Sequence, residues 1–578
     1  MAPTTTSPTY PSTLVEALDR LPDGDARGFR FLTLDREEKY FPYSAMRTEA
    51  QRRAAFLGNL ETAPMYGVAG GKLNKGDTVA LLLPENHEFV LTFLGASVGG
   101  FVPVPIYPGA TFKVTGHYIE TLAHILVAAR AKVVVCNQRN LEVVQLLKEL
   151  PETKDVVILV AEKDFEADAP AFTRPSVGPD DLCFLQFTSG STSKPKGVAI
   201  RHRNLVANTT AFLGPGGLNA GALHGKPDDL GVSWLPLFHD MGLIGFVLGT
   251  LIVDLPVLLF PTTTFARSPR LWLELITKHK GTITYAPNFA YQLLAKRVTE
   301  KDLSSLDLSS LRVAGCGAEP IRARTLIEFA SKLAPAGFDA KALLPSYGMA
   351  ESCLAITFHR GGTSMRVDKV DPAAMREGKA VPSDADDALE LVGCGIPFPG
   401  HELAIVDESG QPVGERVVGQ ILARGPSVND GYFENPEATA ESFKDGWLYS
   451  GDLGYLADGD LFICGRAKDL IIVNGANHYP QDLEWVVGDI EGVRRGNVVA
   501  FSIMKDGLEV LVMAAEGNSG DAARLRTEIA QVVQQNFGLT ASHVAICAVG
   551  ALPKTSSGKA QRKKTKAMFE SGELQEHA

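Results

Sequence analysis

An α/β fold is what the sequence predicts: a large N-terminal domain of parallel-sheet α/β subdomains with a β-rich subdomain, then a small α+β C-terminal domain. Three observations predict it. Continuous Val/Ile/Leu runs alternate with helical patterns as far as about residue 320. After about residue 390 the texture changes to short strands and tight turns. From about residue 468 a final stretch has an alternation of its own. Continuous apolar strands between helices mean a sheet covered on both faces, which is the habit of parallel sheets.

The elements follow in order. MAPTTTSPTYPS has no charged start leading into an apolar run, so no signal peptide is expected there, only an irregular lead-in. From Ser44 the stretch to Leu60 puts Met46, Ala50, Ala54, Leu57 and Leu60 on one helical face. Strand-like runs then come at 78–84, 101–108, 132–137 and 155–160, with helical patterns at 89–97 and 141–150. GTITYAPN (281–288) and LRVAGCGAEP (311–320) continue the pattern. The segment 359–390, rich in Gly and Asp, is the longest irregular stretch; a solvated loop is one reading of it. VVAFSIM, LEVLVMAAE, a helix over AARLRTEIAQVVQQNF, and HVAICAV make up the small domain, placed at 468–578 behind a large domain at 1–467.

Composition limits the function classes. With 578 residues, 45% hydrophobic and 21% charged, the chain is neither largely disordered nor a cysteine-stapled scaffold. At roughly 100–200 residues per domain, its length suggests about three or four compact units. A net charge of −11 argues against a nucleic-acid binder. The seven cysteines, 136, 183, 316, 353, 394, 464 and 547, form no C-x-x-C and mostly sit in apolar runs, as buried thiols in a reducing compartment do. Met241–Phe260 is long enough to span a bilayer but carries Asp254, Pro256 and three glycines. A buried helix running into a buried strand is the expectation, with no transmembrane segment and a cytoplasmic location.

The strongest local signal is LCFLQFTSGSTSKPKGVAI (182–200). An apolar strand ends in Thr188, Ser189, Gly190, Ser191, Thr192 and Ser193, followed by Lys194 and Lys196. Hydroxyls, a flexible backbone and ammonium groups are what a polyphosphate needs. A Walker A spacing is absent.

TSGSTSKPKG resembles the phosphate loop of the adenylate-forming (acyl-activating) superfamily. Five further segments follow in the family's order: WLPLFHDMGLIG (234–245), GCGAEP (315–320), SYGMAES (346–352), YSGDLGYLADGDLFICGRAKDLIIVNGANHYPQDLE (449–484) and LPKTSSGKAQRKKTK (552–566). The resemblance implies an enzyme that uses ATP with Mg²⁺. It implies nucleotide contacts from Thr188, Ser189, Gly190, Ser191, Thr192 and Lys196, and from the turn Gly317, Ala318, Glu319 and Pro320. Ser346, Tyr347, Gly348, Met349 and Ala350 would continue that site, with Tyr347 stacking on adenine. Asp452 would accept from the ribose hydroxyls and Arg466 would lie near ribose and phosphate. Glu351 would ligate magnesium. His239 would stand beside the acyl carboxylate, and Asp240, Gly242 and Ile244 with it would line the acyl pocket. Lys559 would be the catalytic lysine, carried in by a mobile small domain that pivots at Lys468.

Within the superfamily the chain is similar to the fatty acyl-AMP ligases. Ser193 in the phosphate loop, FHDMGLIG, and Asn477-His478-Tyr479-Pro480-Gln481 carry that likeness, with Ala476 standing where an Arg is expected. Segment 359–390 is the candidate for that branch's insertion, which hinders transfer to CoA. The implied reaction is a fatty acid and ATP giving acyl-AMP and pyrophosphate, then transfer to the phosphopantetheine of an acyl carrier protein in trans. An acyl-CoA synthetase is the alternative, and a non-catalytic nucleotide sensor a third reading. The basic tail (Lys554, Lys559, Arg562, Lys563, Lys564, Lys566) is expected to help dock an acidic carrier.

Overall fold

The computed structural model describes residues 8–109, 116–167, 171–188, 194–473, 476–505, 508–555 and 558–577. Four all-buried or nearly buried strands, in the order Val102–Pro105, Thr78–Leu82, Val133–Cys136, Val157–Val160, pair parallel in one sheet. They are the four apolar runs of the first 160 residues. A nine-stranded sheet stands beside it. Its six central strands, from Leu343–Gly348 through Val313–Cys316, Ile283–Ala286, Gly231–Ser233 and Val257–Leu259 to Gly28–Leu32, pair parallel, and both edges turn antiparallel. Helices Tyr43–Gly58 and Asn86–Val98 join the core shared with these sheets. Met46, Ala50, Ala54 and Leu57 are buried on the expected face; Leu60 falls just past the helix end.

The long apolar segment after Asp240 is not one continuous helix. Asp240–Leu243 is α-helical, Ile244–Leu248 widens to a π turn, Gly249–Ile252 is α-helical again, and Val257–Leu259 is a strand of the large sheet. No helix among the described residues is long and apolar enough to cross a membrane. All seven cysteines are buried and free.

The change of texture near 390 is a five-stranded antiparallel sheet, Glu402–Val406, Gly419–Arg424, Phe443–Lys444, Trp447–Ala457 and Asp460–Arg466. Segment 359–390 corrects the loop reading. Val367–Val370 pairs antiparallel with Leu389–Val392, with helix Pro372–Arg376 between them. Val370 and Met375 join a buried cluster with Tyr455, Phe462 and Tyr479. The pattern was hard to read because the buried positions are few and spaced among Asp and Gly.

In the smaller C-terminal domain, Val493–Lys505 and Leu508–Gly517 pair antiparallel and Ala541–Cys547 adds a parallel strand. Helices Pro480–Gly488 and Ala522–Phe537 supply Leu483, Val487, Leu525, Ile529 and Val533 to its core. Pro480 opens its helix, where a missing N–H costs nothing.

Candidate active site

Ligands of parallel α/β sheets gather beyond the carboxyl ends of the strands. Here those ends open into a cleft of about 3570 Å³ that lies between the large and small domains. Val313–Cys316 runs into the turn Gly317, Ala318, Glu319, Pro320. Ala318 has φ +68°, an uncommon conformation for a residue with a Cβ. Glu319 Oε1 accepts from the Phe289 N–H at 2.7 Å, and burial pushes its carboxyl pKa up.

Leu343–Gly348 delivers the second group. Gly348 could not be another residue without rearrangement, since a Cβ there would lie 2.0 Å from the Leu354 carbonyl oxygen. The Tyr347 hydroxyl donates to Asp452 Oδ2 at 2.7 Å, and Arg466 Nε meets Asp452 Oδ1 at 3.1 Å. Ser450 Oγ accepts from the Asp452 N–H at 3.1 Å. Asp452 therefore joins the strand end to the antiparallel sheet and keeps Arg466 firmly charged.

Met349 precedes a single 3₁₀ turn, Ala350–Ser352. Asn429 clasps it: its Nδ2 donates to the Ala350 carbonyl at 2.8 Å and its N–H to the Glu351 carbonyl at 3.0 Å. Glu351 is only 8% exposed, and Oε1 accepts from the Tyr432 hydroxyl at 2.7 Å. Burial raises its pKa, opposed by the Tyr432 bond. Lys196 places its ammonium 5.2 Å from the centroid of the Tyr432 ring, and pairs in register with Thr188. Ser189, Gly190, Ser191 and Thr192, expected to contact phosphate, lie outside the described residues, as does Ser193.

Lys559 lines the same cleft as His239, Asp240 and Glu319. Its side chain is open to the cleft's solvent, yet the protein crowded around it lowers the ammonium pKa, and Asp240 and Glu319 oppose that. Burial, then the neighbouring Lys559, pushes His239 down to about 3, so its imidazole is neutral near pH 7. Burial raises the Asp240 carboxyl while Lys559 holds it down. A cation among partly desolvated acids is the arrangement expected where a further anion is to be received.

Beside the cleft is a narrow cavity of about 60 Å³, walled mainly by Phe212, Leu213, Phe246, Leu354 and Phe358. Asp240, Ala318, Tyr347 and Gly348 line both spaces, so the cavity opens into the cleft at their side. Gly242 faces the cleft. Ile244 is not a wall of the cavity: it is fully buried in the core of the large domain, and Met241, Gly245 and Phe246 line the cavity instead.

Lys468 is exposed on the turn Ala467–Asp469 between the domains. Arg562, one of the tail cations expected to help dock a carrier, is engaged within the small domain. It bonds Glu484 through Nε and Nη2 at 2.8 and 2.7 Å and Asp469 through Nη1 at 2.9 Å, inside the small domain. Lys554 donates to the Gly496 carbonyl at 3.2 Å. Sequence reasoning missed Tyr432, which stands 81 residues from Glu351 in the chain and has no local signal.

The AMP-binding enzyme family matches residues 37–433, and the AMP domain described as Disco-interacting protein 2-like matches 468–578. A Caulobacter vibrioides protein, whose name assigns it provisionally to the acyl-CoA synthetases, is 38% identical over 97% of this chain and 96% of its own. JamA of Moorena producens, named a medium-chain-fatty-acid–[acyl-carrier-protein] ligase, is 32% identical over 87% of each. A solved structure from studies of fatty acyl-adenylate ligases from E. coli and L. pneumophila is 34% identical. It superposes with a TM-score of 0.88 over 98% of this chain and 99% of that one. With a family match across most of its length and ligase relatives along the whole of it, the chain belongs to the AMP-binding enzyme family, as an adenylate-forming ligase of the fatty acyl-AMP ligase branch.

Proposed function

We propose that this protein condenses a fatty acid with ATP to give acyl-AMP and pyrophosphate, and then passes the acyl group to the phosphopantetheine thiol of an acyl carrier protein in trans. One observation carries the reading. Lys559 of the small domain lines the cleft into which the apolar cavity opens, together with Tyr347, Asp452 and Arg466.

A carboxylate attacking a phosphorus centre adds anion to anion, and charge builds on the phosphoryl and departing pyrophosphate oxygens. The Lys559 ammonium is placed to neutralise it there, stabilising the transition state more than the ground state. Neutral His239 tolerates the acyl carboxylate without pinning it as an ion pair. Asp452 and Arg466 hold the ribose and phosphate end, and Tyr347 with the Gly317–Pro320 turn the adenine. The apolar walls retain the chain at about 0.8 kcal/mol per buried CH₂.

Magnesium fits the donors present. Among the described residues no cluster of three or more His, Cys, Asp or Glu side chains could hold a metal by itself. A single buried carboxylate beside a triphosphate is the usual protein share for this ion, and Glu351 is that carboxylate. When bound, it supplies charge neutralisation on the phosphate oxygens.

Carrier protein rather than CoA as acceptor is supported by JamA's name and by segment 367–392, which packs Met375 with Tyr479 at the small-domain junction. The name of the Caulobacter relative favours the second reading, an acyl-CoA synthetase. Pyrophosphate release from ATP with a panel of fatty acids tests activation, with Lys559→Ala as control. Mass spectrometry of products formed with CoA or with a carrier protein decides the acceptor. Acyl-CoA as the dominant product would establish the second reading, and no turnover with any acid would sink both.

A further inference from the structure

Tyr285 places a polar group in the wall of the apolar cavity. It lies on the strand Ile283–Ala286 and pairs in register with Gly315 of the next strand. Its ring lies across that glycine, where a Cβ would come within 2.0 Å of it. It also packs against Phe358, centroids 5.8 Å apart. Tyr285 is 7% exposed, and its hydroxyl has no hydrogen-bond partner among the described residues. Ser346 stands near it without bonding geometry, and gives its own proton to the Cys316 carbonyl over a long 3.3 Å.

A buried hydroxyl without a partner is costly, and phenylalanine would fill the same space without that cost. Burial also holds the phenol far above its ordinary pKa, so it remains an O–H donor. The position is specific. Ser346 lines both the cleft and the cavity, whereas Tyr285 lines the cavity alone. Ser346 therefore sits at the mouth and Tyr285, beside it, just inside. A chain whose carboxylate stays in the cleft near Lys559 passes them within its first few carbons.

We propose that Tyr285 and Ser346 form an oxygen-reading subsite, which selects fatty acids carrying a hydroxyl group close to the carboxylate over unsubstituted chains. This rests on the acyl-activation reading above and names its substrate class. The substrate hydroxyl accepts from Tyr285 and gives Ser346 an alternative to its long bond. An unsubstituted methylene at that depth leaves the phenol unpartnered, and sites built to bond a substrate hydroxyl discriminate against analogues that lack it.

The test is a matched series: octanoic, dodecanoic and hexadecanoic acids, each beside its 3-hydroxy counterpart, with pyrophosphate release measured for wild type, Tyr285→Phe and Ser346→Ala. Wild type is expected to favour the hydroxy acid by about tenfold in kcat/KM, the scale of one buried neutral hydrogen bond. Tyr285→Phe is expected to bring that ratio close to one by lowering the hydroxy acid's kcat/KM. A wild-type preference for plain acids, or a ratio that Tyr285→Phe leaves intact, overturns the subsite. Release from no acid of either kind overturns acyl activation itself, and the subsite with it. Thermal denaturation checks folding; should Tyr285→Phe fail to fold, the ratio in Ser346→Ala decides, because an effect of Ser346 on the nucleotide moves both acids alike.

Discussion

Arg322 of the large domain grips Asp489 of the small domain at two points, Nη2 to Oδ2 at 2.6 Å and Nη1 to Oδ1 at 3.2 Å. Arg495 adds a third contact to the same carboxylate at 3.0 Å. The clamp joins the two domains across the cleft that Lys559 lines, and on the proposed mechanism it holds the small domain in position for adenylation. If the small domain pivots about Lys468 for acyl transfer, as proposed, the pair has to break. Arg322→Ala is expected to slow adenylation about five- to thirtyfold, the worth of a partly buried, two-point pair of about 1–2 kcal/mol. The transfer half-reaction, started from supplied acyl-AMP, should be unchanged or faster. Equal slowing of both halves would reject the clamp.

The same pair has a pH signature. Burial pushes the Asp489 carboxyl up, but the Arg322 bonds outweigh it and leave the pKa below its ordinary 3.8. The clamp's contribution is therefore complete above that value and is lost as pH falls through the lower folded value. Small-angle scattering between pH 6 and pH 3 should show the domains separating only at the acid end, and Arg322→Ala should separate them already at pH 6.

Lys559 gives the opposite limb. Crowding lowers its ammonium pKa, so the protonated form that the proposed adenylation uses disappears at a lower pH than for a free lysine. Adenylation should decline on the alkaline side before pH 10.5, and Lys559→Arg, weakly active, should lose that limb because guanidinium stays charged. Lys559→Ala should cost about 10²–10³ in the adenylation rate, the scale of one lost oxyanion-stabilising group. A pH profile unchanged in Lys559→Arg would assign the limb to another group.

Glu351 and Tyr432 divide one task. Tyr432 fixes Oε1 at 2.7 Å, orienting the carboxylate toward the cleft. Tyr432→Phe should raise the magnesium concentration needed for half-maximal pyrophosphate release by about tenfold, the usual effect of losing a partner that orients a metal ligand. Its maximal rate at saturating magnesium should stay near wild type. Glu351→Gln should lower that maximal rate as well. A Tyr432→Phe enzyme with wild-type magnesium dependence would show the tyrosine to be mere packing.

Much of this was legible in the residues because the chemistry is local. Parallel strands announced themselves in VALLL and VVVC, being buried on both faces. The turn at Gly317 follows one such strand, and Tyr347 sits near the end of the next. What stayed hidden depends on distant pairings. Tyr432 reaches Glu351, and Asp489 reaches Arg322, across long stretches of chain. Arg562 looked like one more tail cation until Glu484 and Asp469 enclosed it. Ile244, placed in the pocket by the likeness of FHDMGLIG alone, is packed into the core instead.

Segment 367–392 supplies the last prediction. Asp368, 9% exposed, accepts from the Tyr455 hydroxyl at 2.7 Å and from Arg416 Nη1 at 3.0 Å, anchoring the segment to the antiparallel sheet. Removing one member of a buried charged network costs about 2–5 kcal/mol, since its partners lose their bonds without regaining water. Asp368→Ala should therefore lower the urea midpoint, and the loosened segment should no longer hold Met375 against Tyr479 at the small-domain junction. If that packing is what restrains the domain during transfer, acyl-CoA formation should rise relative to carrier-protein loading in the variant, measured below its unfolding midpoint. Met375→Ala, which spares Asp368, should raise the same ratio with a smaller loss of stability. Destabilisation in both variants with no gain in acyl-CoA would make the segment a structural brace alone, and the choice of acceptor would then have to reside in the cleft.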